Sequence, residues 1–117
     1  MTVGETMHGG SALVRADGWI DKTNAGAFKD ALMLGVTRAR HAVVVDMGGV
    51  EYIGAAGLKS LVLALRSAKA DRKGFALAGL SPKVLEFFRI SEANKMFPVY
   101  PEVPDALEAV GPDAEAG

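Results

Sequence analysis

Residues 41–65 read HAVVVDMGGVEYIGAAGLKSLVLAL. The first part, His41 to Met47, is a short β-branched apolar run. Such continuity predicts a strand covered on both faces, as in a parallel or mixed sheet between helices. Asp46 closes the run, where its carboxylate is expected to accept hydrogen bonds from a Gly48-Gly49 turn. Beyond Tyr52-Ile53 stand four tiny residues, Gly54, Ala55, Ala56 and Gly57. Leu58, Leu61, Val62, Leu65 and Ala68 then recur at helical spacing, predicting a helix that ends near Asp71. Lys59, Leu63, Arg66 and Ala70 fall on its opposite side.

The flanking segments extend the alternation. Thr2 to Met7 is expected as a first strand, His8 to Ser11 as a turn, and Ala12 to Ala16 as a second strand closed by Gly18. Asp21, Thr23 and Asn24 are all plausible helix caps. After them Ala25, Phe28, Leu32, Gly35, Val36 and Ala39 mark an amphipathic helix. Phe75 to Gly79 is a further short strand. Ser81-Pro82 opens a helix with Ser as cap and Pro at its first position. Val84, Leu85, Phe88 and Ile90 form that helix's apolar side. Phe97 to Tyr100 reads as a last strand and Pro104 to Val110 as a terminal helix. The fold class is α/β, one compact domain over residues 1–110, with about four or five strands in a mixed sheet packed with about four helices. The acidic tail 111–117 is expected to be flexible.

Composition narrows the function. The 117 residues are 50% hydrophobic and 23% charged, with a formal charge of −1 and no cysteine. This balance suits one buried core and gives no sign of direct nucleic-acid binding. Disulfides and thiolate chemistry are excluded, and a cytoplasmic location is expected. No segment is long and apolar enough for membrane insertion, and no signal peptide is visible. His8 and His41 read as ordinary structural histidines, so no catalytic residue, metal site or cofactor is expected and the chain is not read as an enzyme. Trp19 reads as the anchor of a core edge. Neither phosphate-binding glycine pattern occurs at the helix start, though Gly54 to Gly57 retain free amides.

The order of these signals resembles the STAS domain of bacterial anti-sigma factor antagonists. In that family an apolar strand ends in Asp, and D-S-[ST]-G-L opens the next helix. Asp46, Val50, Tyr52, Ile53, Gly57 and Leu58 match that layout. Gly18-Trp19-Ile20-Asp21 resembles the family's G-x-[LI]-D element, and residues 74–84 resemble its next strand and Ser-Pro helix start. The resemblance implies a non-enzymatic regulator of transcription that works by partner-switching, binding an anti-sigma factor that is also a serine kinase. The implied partner surface is Asp21, Gly54, Ala55, Ala56, Gly57, Leu58, Lys59, Leu63 and Arg66. The family's phosphorylated hydroxyls fall at Ala55 and Ala56, and its Asp at Gly54, so the usual switch is expected to be missing. Two other roles stay open: an accessory subunit docking on the ATPase of a lipid or anion transport system, and a small nucleotide-binding module.

Overall fold

The computed structural model describes residues 1–111, so the expected tail lies, from residue 112 on, outside the described residues. Five strands form one sheet in the order β1-β2-β3-β4-β5: Thr2–His8, Ser11–Ile20, Ala42–Ile53, Gly74–Ala78 and Val99–Tyr100. β1 runs antiparallel to β2, and every other pair is parallel. Parallel neighbours need crossovers. These are supplied by α1 (Ala25–Arg38), α2 (Ala55–Ala70) and α3 (Pro82–Ile90), with α4 (Val103–Val110) closing the chain.

The main core lies on the face covered by α1, α2 and α3. Val14, Ala16 and Ile20 of β2 and Val43, Val45 and Met47 of β3 meet Phe28, Leu32, Leu61, Leu65 and Phe88 there. The expected stripe of α1 is buried at each position from Ala25 to Ala39. On α2, Leu61, Leu65 and Ala68 are buried, Leu58 and Val62 pack against the core at its margin, and Lys59, Leu63, Arg66 and Ala70 face outward. A smaller cluster of Val44, Ala76, Ala78 and Ala106 joins α4 to the other sheet face. β3 is thus covered on both faces at its start, as an unbroken apolar run requires. Glu5 points inward from edge strand β1 and takes Arg38 of α1 at 3.1 Å, a charge that blunts an open edge.

Several expected boundaries are corrected. β3 does not stop at Asp46: Gly48 and Gly49 continue the strand, and it pairs with β2 as far as Ile20 opposite Ile53. The register shifts twice, between Arg15 and Asp17 and between Gly18 and Trp19, and at the first shift the close approach of the Asp17 side chain leaves Gly49 no room for a Cβ. β2 is correspondingly longer than Ala12 to Ala16, and Gly18 lies within it at φ 89°. Asp21, Thr23 and Asn24 do not cap α1 through their side chains. Ser81 does cap α3, accepting from the Val84 amide at 3.3 Å. Ile90 is 68% exposed and Leu85 also faces solvent, because α3 turns Val84 and Phe88, four residues apart, into the core, with Phe87 packed at its margin. The final strand is Val99–Tyr100 alone, with Phe97 buried ahead of it.

Candidate functional site

The junction of β3 and α2 is built by two strand ends of equal reach. Ile53 ends β3 opposite Ile20, and the Gly54 amide donates to the Ile20 carbonyl at 2.9 Å. Gly54 is extended, with φ −98° and ψ −175°, and is the helix cap; it offers no side-chain hydrogen bond. Its carbonyl accepts the Leu58 amide at 3.0 Å, which starts the helical ladder. The amides of the first turn have no partner within a helix, and no acidic residue occupies this turn.

Asp21 follows β2 directly and faces the same opening. Its Oδ1 accepts from the Thr23 amide at 2.9 Å and from the Thr23 hydroxyl at 2.5 Å. These bonds, the hydroxyl first, hold the Asp21 carboxyl below the usual carboxylate range. Asn24 ties the loop to the strand: its Oδ1 accepts the Asp21 amide, and its Nδ2 donates to the Trp19 carbonyl. The three residues expected to cap α1 instead fix this loop. Asp21, Lys22, Tyr52, Gly54, Ala55 and Ala56 then line an open hollow of about 470 Å³.

Of the residues singled out in the sequence, Asp21, Gly54, Ala55 and Ala56 therefore share one concave surface. Gly57 faces inward, and Leu58 is half-buried against the core. Lys59 is exposed in the first turn. Leu63, 36% exposed, and Arg66 lie further along the outward side of α2, away from the hollow. Ser60 is buried, and its hydroxyl donates to the Ala25 carbonyl at 2.9 Å, joining α2 to the first residue of α1.

Trp19 does not anchor a core edge. It is 58% exposed and lies against Tyr52, ring centroids 5.1 Å apart, forming an aromatic ridge beside the hollow. The two face each other across β2 and β3, one residue before the buried pair Ile20–Ile53. Their membership of aligned strand ends was hidden by reading Gly48-Gly49 as a turn. Behind Tyr52 lies a second hollow, lined by Glu51, Ile53, Lys83, Val84 and Phe87.

Asp46 lies outside both hollows. Its Oδ1 accepts the Gly48 amide at 2.9 Å, as expected of the residue, though within a strand. Its Oδ2 accepts from Arg15, which also meets Asp17. Asp17 by hydrogen bonding, and then Asp46 by charge, raise the Arg15 pKa further above its ordinary value. His41 precedes β3, at the end of the sheet away from the start of α2, and exposed His8 is 3.2 Å from the Thr6 hydroxyl. Neither histidine meets the residues of the hollows. Among the described residues no group of three potential ligands could hold a metal, and no helix is long and apolar enough to cross a membrane.

The family described as "Mlab, STAS domain" matches residues 3–99. The chain is 30% identical, over 90 residues, to a Bordetella bronchiseptica protein provisionally named anti-sigma factor antagonist BtrV; the match covers 77% of this chain and 78% of that one. The crystal structure of an anti-sigma factor antagonist from Mycobacterium paratuberculosis superposes with a TM-score of 0.85 at 31% identity, covering 93% of this chain and 92% of that one. A sulfate transporter family protein from Wolinella succinogenes shares the fold, with a TM-score of 0.76 at 15% identity over 90% of this chain and 88% of that one.

Proposed function

The chain belongs to the STAS domain family, and on that premise we propose that it is a non-enzymatic anti-sigma factor antagonist. Its partner is an anti-sigma factor with serine-kinase activity, met at the start of α2. The observation that carries this reading is the exposed, small-profiled junction of Asp21 with Gly54, Ala55 and Ala56, set on a chain about 30% identical to antagonists.

This surface takes no phosphate. A phosphoserine would add about −1.5 to −2 charges and three acceptor oxygens to the interface, enough to eject a fitted partner. Ala55 and Ala56 present methyl groups where the family's hydroxyls would stand. The nearest serine on the helix, Ser60, is buried with its hydroxyl already engaged. The protein therefore acts as a constitutively competent binder, regulated by its amount rather than by covalent modification.

The test is calorimetry with the anti-sigma factors of the same genome, followed by incubation with ATP and intact-mass measurement. Saturable binding with no gain of a phosphate mass is expected. Failure to bind any of them, or stoichiometric phosphorylation, overturns the reading. A second reading, an accessory subunit docking on a transport ATPase, is favoured by the transporter neighbour of the same fold. Co-purification with a transporter ATPase in place of an anti-sigma factor would select it.

A further inference from the structure

β3 outruns its neighbour. β4 pairs with it only to Asp46 opposite Ala78, after which Gly79, at φ 74°, turns the chain towards α3. The end of β3 keeps β2 on one side, while on the other a wedge opens between Glu51–Ile53 and the first turns of α3. The wedge is a hollow of about 320 Å³. Its floor is apolar: Ile53 and Val84 are each 2% exposed, with half-buried Phe87 beside them. Its rim is charged and mixed in sign, Glu51 on the strand and Lys83 on the helix. Both are exposed, and neither enters an ion pair among the described residues.

We propose that this wedge is a second recognition site, taking one apolar side chain of a protein partner. The segment that carries the side chain places a carboxylate towards Lys83 and a cation towards Glu51. An apolar floor with a dipolar rim sets both the depth and the direction of the inserted residue. A carboxylate and a cation at the rim add orientation more than affinity. Tyr52 is common to both hollows and lies tilted against Trp19. An exposed aromatic pair between two concave surfaces is the kind of anchor that carries most of an interface's energy. The contact surface thus runs from Asp21 across the Trp19–Tyr52 ridge to α3. This inference rests on the protein-binding reading above and extends it to residues which that reading does not use.

The probe is a phage-displayed library of random dodecapeptides selected on the immobilised intact protein, with affinities read from the fluorescence of its single tryptophan, Trp19. The expected winners carry a large apolar residue next to an acid. Lys83→Glu weakens them about tenfold, as like charges replace a pair, and changing the peptide's acid to lysine restores binding to that variant. Lys69→Glu, the same charge change in the last turn of α2, leaves affinity unchanged. Winners without the acid and anchor, no enrichment at all, or indifference to Lys83→Glu each overturn the proposal. Failure of the antagonist reading shows separately, as absence of anti-sigma factor binding to the unaltered protein.

Discussion

A Cβ added at Gly57 would stand 2.7 Å from Cγ2 of Ile20, and equally close to Cγ1 of Ile53. Both isoleucines are buried at the ends of β2 and β3, and their γ carbons are held by branching next to the backbone. The glycine lets the first turn of α2 press onto the paired strand ends. Gly57→Ala forces that turn outward and is expected to cost about 1–3 kcal/mol in chemical denaturation, the range for overpacking a filled core. Gly26, in the first turn of α1, has open space where its Cβ would stand. Gly26→Ala is expected to stabilise by up to about 1 kcal/mol through helix propensity. Equal effects at the two positions would show that the junction is looser than this packing implies.

The Asp21 carboxyl is held low by the Thr23 hydroxyl and amide. A carboxylate whose folded pKa is depressed contributes stability above its unfolded value of about 3.9, lost as pH falls through the folded value. Carbon-detected NMR titration is expected to place Asp21 below that unfolded value. In Thr23→Ala it should move upward, since the hydroxyl that donates to the carboxylate is removed. An unmoved titration would mean that the amide alone holds the loop.

How much of this could be read in advance depends on which signals are periodic. The stripes Ala25 to Ala39 and Leu61 to Ala68 repeat at helical spacing, so their buried faces were legible, as was the Ser81-Pro82 helix start. The β3 end was not, because Gly48-Gly49 has the composition of a turn while its strand role depends on Asp17, distant in sequence. That error also hid the pairing of Trp19 with Tyr52, and hence the ridge. Ile90 was misplaced for a different reason. It stands two residues after the buried Phe88, more than half a turn round α3, and so faces outward. At the candidate site, Ala55 and Ala56 were informative only against a family pattern; their exposure and the hollow with Asp21 come from tertiary structure.

Ser60 links α2 to α1 through a hydroxyl that is both buried and engaged. Ser60→Ala gives up one buried hydrogen bond and is expected to lower stability by about 1 kcal/mol. Anti-sigma factor affinity should stay the same, because the residue faces inward. Loss of binding without loss of stability would instead place Ser60 at the interface.

Ala55 and Leu63 probe the near and far parts of the proposed contact on α2. Ala55 is exposed at the rim of the Asp21 hollow, whereas Leu63 lies two helical turns on, at 36% exposure. Ala55→Asp puts a charge at a helix start, where the dipole favours an acid, so the fold should be unharmed or slightly stabilised. The same charge occupies the surface that the partner must cover. Anti-sigma factor affinity is therefore expected to fall by about a hundredfold, as desolvating an unpaired carboxylate in an interface costs several kcal/mol even after relaxation. Leu63→Lys should retain the melting temperature and weaken binding about tenfold or less, as for a residue outside the energetic centre of an interface. Calorimetry on both variants, with thermal melts alongside, separates the cases. A larger loss at Leu63 than at Ala55 moves the contact's centre down the helix, and unchanged affinity in both removes α2 from the interface.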